Sequence, residues 1–421
     1  MTRPSVLEFT ENEPQTLSAD LAHTIKTATQ SLNNVLRPRL SPVRIDDRTV
    51  TFTNLVGSFR LDTGEIVRVR PKTDPGQEWA ESVARLLTPS TRVAITGSAH
   101  SRQRESSVDS ALAAAIRVEY RRRLERALRS EGPVQAYEQV TETTHRLRGR
   151  LRVSDWVRTA VLAPSSFPVV RHDLTIHNDF ARAMALVAEA FARSTSSPPL
   201  ASKLHRLASD MVIGEAIPTA ADPAVASRNL PPQWAGFGPA WDIARSFLKN
   251  RSLMGGPGRW HGLEVSVEPW PLLEELLHRA IQVVVRQGLA PGAVNVPPKA
   301  RYGLLAGESG LAVEPDGVVM GNGRTLASFE AKYTTKISDR NHVYQAVTTA
   351  AVLQSPLAVL VYPGDEGVGV EPVAGHQGRP GHLATIGLGM FSYSGSASDL
   401  ANAKKIANVM AGHRLVVGPR T

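Results

Sequence analysis

The chain has 421 residues, an apolar fraction of 42% and a formal net charge of +9. That length accommodates two or three domains of the usual ~100–200 residues, with the composition of a soluble globular protein. The absence of cysteine excludes disulfides, thiolate zinc sites and cysteine nucleophiles, and no run approaches the ~18 apolar residues that cross a membrane. The basic balance points to nucleic acid or an acidic partner. The polar segment Met1–Asp20 has no apolar signal core, which fits a cytoplasmic protein.

In chain order, Thr16–Leu36 reads as a helix. Val43–Arg70 alternates, as in Val50-Thr-Phe-Thr, Phe59-Arg-Leu and Ile66-Val-Arg-Val-Arg, and predicts a small β-rich unit. Gly97–Ser107 is polar and predicts a mobile loop. Helices are expected over 108–130, 133–144, 178–194 and 199–213. Arg117, Arg121, Arg122, Arg123, Arg126 and Arg129 crowd the first of these. They cannot all face one side, so some are solvated and some are free to meet phosphate or an acidic surface. Arg146, Arg148, Arg150 and Arg152 alternate, which on a strand makes one basic face with Leu147 and Leu151 opposite. Ile217–Gln233, with Pro218, Pro223, Pro231 and Pro232, is the best linker, Ala240–Lys249 reads as a helix, and Gly255-Gly-Pro-Gly258 is a second break. These features divide the chain into a partly β-rich N-terminal domain (1–130), a mainly helical middle region (131–255) and a C-terminal domain (256–421).

The last third carries the chemistry. Pro271–Gln287 predicts a helix whose Leu272, Leu273, Leu276, Leu277, Ala280, Ile281, Val284 and Val285 form one apolar side. Glu314-Pro-Asp316 is followed fourteen residues later by Glu330-Ala-Lys332, with Asn322-Gly323 as a tight-turn signal between them. A hairpin there carries Asp316 back beside Glu330. Glu330 and Lys332 share one face of the strand, with Ala331 turned toward the core. Two carboxylates on one spot suit Mg²⁺, with Mn²⁺ as a substitute, and a neighbouring lysine can hold phosphate or orient water. Both acids are expected to be partly exposed. His342–Gln354 then predicts a helix with Val343, Ala346, Val347, Ala350 and Ala351 as its apolar stripe, and Leu357–Tyr362 a strand buried on both faces. Strand, helix and buried strand imply a right-handed crossover in a partly parallel sheet. No phosphate-binding Gly-x-x-x-x-Gly-Lys-Ser/Thr occurs, so any nucleotide-driven motor is a separate subunit.

The order helix, strands, hairpin, helix, strand is that of the PD-(D/E)xK nucleases, an α/β fold with a mixed sheet flanked by helices. The chain further resembles McrC, the nuclease subunit of McrBC modified-DNA restriction systems. The resemblance rests on Val56–Lys72 ending in Pro-Lys, on Leu147-Arg-Gly-Arg-Leu151, and on Leu272-Leu-Glu274. Pro315-Asp316, Glu330-Ala-Lys-Tyr333 and Val343-Tyr-Gln345 complete it. It departs from the family where His177 and Ala181 stand in place of an acidic residue and a helix-opening asparagine, and where Thr349 replaces an aromatic residue. The resemblance implies a DNA endonuclease with Asp316 and Glu330 as metal ligands. Glu274 is the third acid, with Glu275 as the alternative. Lys332 and Gln345 complete the catalytic set. It implies control by a McrB-like AAA+ GTPase ring, docked through residues 1–130 and stimulated by this chain, with double-stranded DNA as substrate and no membrane association. An adaptor or GTPase activator with a silent nuclease fold, and a stand-alone defence nuclease, are the competing readings.

Overall fold

The computed structural model describes residues 5–36, 41–72, 79–87, 93–98, 111–133, 135–220, 223–253, 262–295, 300–303, 312–337, 339–365, 367, 369–373 and 381–417. The expected loop beyond Ser98 and the Gly255–Gly258 break lie outside them, while Gly97 and Ser98 end the strand Val93–Ser98. Contacts group the chain into two units. One comprises Met1–Ala94, Ser110–Ala115 and Val265–Thr421, the other Ile95–Asp109 and Ile116–Glu264. The N-terminal residues are thus packed with the C-terminal third, a grouping that the divisions read at 130 and 255 do not express.

In the first unit, Val6–Thr10 runs parallel to Ile66–Arg70, which pairs antiparallel with Val56–Arg60. Their alternating apolar residues bury Phe9, Phe59, Val67 and Val69 together with Phe52 and with Ile25 from the helix Ala19–Leu36. Phe52 meets Phe9 and Phe59 edge-on at centroid distances of 4.9 and 5.9 Å, the orientation that the ring quadrupoles favour. Gly57 pairs with Ser266 of the strand Gly262–Val267 at φ 116°, and a Cβ there would overlap the Val265 carbonyl oxygen, so only glycine fits.

The C-terminal part of this unit is a six-stranded mixed sheet in the order Ala293–Asn295, Gly317–Gly321, Arg324–Ala331, Leu357–Tyr362, Gly381–Gly387, Gly369–Val373. The three strands from Arg324–Ala331 to Gly381–Gly387 are parallel neighbours and the outer pairings are antiparallel. Asn322 and Gly323 turn the expected hairpin with φ of 52° and 72°, both in the left-handed region that such a turn requires. Leu357–Tyr362 is buried along its whole length, as its unbroken apolar run implies. The helix Trp270–Arg286 lays Leu277 and Ile281 over Gly317. The helix Arg340–Val352 covers Ala358, Leu360 and Tyr362 through Ala346 and Ala350. Its buried stripe includes Thr349, whereas Ala351 is exposed, a shift from the expected apolar set.

In the second unit, residues 136–144 form a strand, not the expected helix. Ala136–Thr144 pairs antiparallel with Phe167–Thr175 over nine residues, and the alternation Val140-Thr-Glu-Thr-Thr, rich in β-branched side chains, is a strand pattern. The middle region is therefore not helical throughout: it carries this sheet beside the helices Asp179–Ser194, Pro198–Met211 and Gly238–Leu253. Arg146–Gly149 lies in the connection, so the four alternating arginines make no strand face. Only Arg150–Leu151 pairs with the sheet, and Arg152 turns to Asp155. The helical arginines are mostly engaged at home. Arg122 and Arg123 hold Glu119, Arg121 and Arg129 hold Glu125, and Arg117 is fully buried. Asn178 caps the helix Asp179–Ser194 by accepting the Ala181 N–H at 3.0 Å, so a helix-opening asparagine is present after all, one residue beyond His177.

Asp242 in this unit is pushed up to about 6 by burial, against the opposing pull of Arg123 and Arg245. A raised folded pKa means its stabilising share is full below the ordinary carboxylate range and is lost as pH rises through 6. Asp242→Asn should therefore leave the melting temperature unchanged near pH 4 and raise it at pH 8. The expected gain is on the order of 1–2 kcal/mol after discounting for solvent screening, read by calorimetry at both pH values.

Candidate metal centre

The hairpin register fixes the first contacts. Gly317 pairs with Phe329, and the Asp316 N–H donates to the Phe329 carbonyl at 3.0 Å. This places the Asp316 carboxylate at the end of the strand Arg324–Ala331, where its Oδ2 accepts the Ala331 N–H at 2.7 Å. Glu330 stands beside Leu360 of the neighbouring strand, which lies beneath the helix Arg340–Val352. From that helix, Gln345 Nε2 donates to Glu330 Oε2 at 3.0 Å and Thr349 Oγ1 to Oε1 at 3.0 Å, one turn apart on one helix face. Lys332 Nζ donates to Glu330 Oε2 at 3.2 Å and to Gln345 Oε1 at 2.9 Å. Asp316, Glu330, Lys332 and Gln345 are thus brought together at one strand end.

Helix phase separates the two glutamates that the sequence left as alternatives. The Glu274 side chain is within hydrogen-bonding reach of Asp316, whereas Glu275 turns away to Arg279 at 2.9 Å. One turn after Glu274, His278 Nε2 lies 2.7 Å from the Asp316 carbonyl oxygen. His278 and Thr349 are supports that the sequence reading missed. Their spacing of four from Glu274 and from Gln345 was the available signal.

Glu330 is 2% exposed, and Asp316 is half-buried. The expectation that both would be partly exposed therefore fails for Glu330, which the helix covers. Burial pushes both carboxyls above their usual range. The Ala331 N–H and then Lys332 pull Asp316 back down. Lys332 opposes the shift of Glu330, while the charge of Asp316 adds to it. Among the described residues, no three His, Cys, Asp or Glu side chains already converge as a full ligand set. The donor chemistry nevertheless fits a hard divalent cation. Carboxylates raised in pKa by burial, and for Glu330 also by the charge of Asp316, are the ones a cation relieves most, and Mg²⁺ ordinarily takes only one or two of them, with water completing its shell.

Beyond Lys332, the chain enters a buried polar cluster. Tyr333 donates its hydroxyl to Glu11 Oε2 at 2.7 Å. Lys72 Nζ lies 3.6 Å from Glu11 Oε1 and 4.0 Å from the Tyr333 ring centroid, and the Asn54 N–H donates to Glu11 Oε1 at 2.7 Å. The Pro-Lys end of one sequence motif and the Tyr333 end of another therefore meet on one glutamate. Burial pushes Glu11 up against the pull of Lys72, and burial lowers Lys72 against the pull of Glu11.

The family model described as "McrBC 5-methylcytosine restriction system component" matches residues 50–363. No curated protein matches the chain. A chain of the structure described as "Refined half-complex from tetradecameric assembly of Thermococcus gammatolerans McrB AAA+ hexamers with bound McrC" shares the fold. Its TM-score is 0.58 at 14% identity, over 96% of this chain and 100% of that one. A second, "Cryo-EM structure of the Thermococcus gammatolerans McrBC complex", aligns over 67% of this chain and 88% of that one, at 16% identity and a TM-score of 0.41. Because the family model spans well over half of its length, this chain belongs to the McrBC 5-methylcytosine restriction system family.

Proposed function

We propose that this chain is the DNA endonuclease subunit of a McrBC-like restriction or phage-defence system, with a PD-(D/E)xK catalytic centre governed by a separate McrB-like AAA+ GTPase. The observation that carries the reading is the convergence of Asp316, Glu330, Lys332 and Gln345, with Glu274 beside them, on the end of one strand. Mg²⁺, or Mn²⁺ in its place, held by Asp316 and Glu330 with Glu274 adjacent, would polarise the scissile phosphate and lower the pKa of a bound water. Lys332 supplies a fixed positive charge to the oxygen on which negative charge develops. Gln345 bridges Lys332 and Glu330 and holds both in register, and Thr349 fixes the second oxygen of Glu330. The arrangement favours an intact nuclease over a silent one, because no member of the set is missing. Mixing the chain with the AAA+ GTPase of its own system and methylated duplex DNA should give cleavage that requires Mg²⁺ and stops with EDTA. Cleavage that persists in EDTA would refute the reading.

Besides the docking surface expected within residues 1–130, the connection between the strands Ala136–Thr144 and Phe167–Thr175 offers a second candidate. There Val161 and Leu162 are 89% and 91% exposed, and Leu147, Val153 and Val157 in the same stretch of chain are exposed as well. Solvent-facing apolar side chains repeated along one segment mark protein-interaction surfaces when they form a patch. The occupant we assign is the AAA+ ring, the kind of assembly that holds McrC in the similar Thermococcus gammatolerans structure. Val161→Asp combined with Leu162→Asp should leave the melting temperature intact. The pair should weaken stimulation of GTP hydrolysis by about thirtyfold or more, as loss of an interface hot spot does.

A further inference from the structure

Beside Lys332 lies a cavity of about 380 Å³ lined by Asn54, Trp270, Ala331, Lys332, Tyr333, Thr334 and His342. It falls within the size range of small-molecule sites. Its lining combines Trp270 and Tyr333 with the His342 imidazole, two short polar side chains and one cation, the composition that stacks and hydrogen-bonds a planar polar ligand. Tyr333 is locked by its hydroxyl on Glu11 and by Lys72 over its ring, so that wall is pre-formed. Trp270 is anchored through Nε1 on Glu268. His342 differs, since its Nδ1 is buried without a hydrogen-bond partner among the described residues. A ligand in the cavity meets the part of the His342 ring that lines it.

We propose that this cavity receives an unstacked nucleotide of the DNA strand being cut, its phosphate on Lys332, its base against Trp270 and Tyr333, and its polar edge on His342 and Asn54. The inference rests on the nuclease reading of the adjoining site for the identity of its ligand. Extrusion of a base next to the cut favours sequences and modifications that unstack readily, so the pocket contributes selectivity at the flanking position.

The test uses the full-length chain and deoxythymidine 5′-monophosphate as probe, with ribose 5-phosphate as the baseless control. Saturation-transfer NMR should show transfer to the thymine H6 and methyl protons. The signal should fall by at least about fivefold in Trp270→Ala and in His342→Ala, the scale of a lost stacking or hydrogen-bonding contact. The second variant keeps the test valid where the first fails to fold. The absence of base saturation in the unmodified chain, or equal saturation in both folded variants, overturns the proposal. A cleavage arm compares intact and abasic DNA at the positions flanking the mapped cut. The abasic change should slow the unmodified chain by at least about fivefold and Trp270→Ala no further, because both remove the same contact. Multiplied effects overturn the proposal. Base saturation without any Mg²⁺-supported cleavage sinks the nuclease reading and leaves the pocket. Cleavage without base saturation sinks the pocket alone.

Discussion

Asp316→Asn should abolish Mg²⁺-supported DNA cleavage, by roughly a thousandfold or more, since several kcal/mol of transition-state stabilisation depend on a correctly held cation. Asparagine keeps an oxygen for the Ala331 N–H, so the hairpin end is preserved. Stability should move the other way. Burial raises the Asp316 carboxyl, so its stabilising share is full below the ordinary carboxylate range and is lost as pH rises through the folded value. In EDTA at neutral pH the asparagine variant should therefore melt at the same temperature or higher, with the difference fading toward pH 4. Calorimetry in EDTA across this range reads it. A variant that melts lower at neutral pH would mean that Asp316 is a structural acid, not one poised for a cation.

Lys332→Ala should lower kcat by about 10²–10³ and weaken KM and DNA affinity far less, because its charge matters most where negative charge develops in the transition state. A second signature follows from the ion pair. Lys332 is the principal group holding the Glu330 carboxyl down against burial, so its removal should push that carboxyl further up. The residual activity of Lys332→Ala should then need a more alkaline pH than the unmodified chain. A kcat profile against pH, with DNA binding followed by fluorescence anisotropy, separates this from simple loss of phosphate contact. Unchanged kcat would remove Lys332 from the chemistry.

The candidate catalytic strand and its hairpin were legible because their signals are local. An Asn-Gly turn sets the register, and a period of two sets which side chains share a face, so Asp316, Glu330 and Lys332 could be placed together. Glu274 could not be separated from Glu275, because the phase of a helix is set by what it packs on. Leu277 and Ile281 against Gly317 decide it. Thr349 stood out only as a threonine in place of an aromatic residue, and its burial makes sense only once Glu330 is seen to accept its hydroxyl. Glu11 was invisible for a different reason. Its partner Tyr333 is 322 positions away, and no local pattern encodes a contact of that range. The same long-range packing gathers Met1–Ala94 with the C-terminal third, where linker composition alone suggested separate domains. The misread 133–144 segment had the alternation of a strand all along. Its acidic and amide side chains masked it as a solvated helix.

The most direct test of the two-part account measures GTP hydrolysis and DNA cleavage in one reaction, with the AAA+ partner, methylated duplex and Mg²⁺, for the unmodified and Glu330→Ala chains. Glu330→Ala removes a carboxylate of the centre and does not touch the exposed apolar surface at Val161 and Leu162. The account predicts that Glu330→Ala, shown to be folded by its melting profile, stimulates hydrolysis as the unmodified chain does and cuts no DNA. Loss of both activities in the folded variant, or cleavage at the unmodified rate, would contradict it.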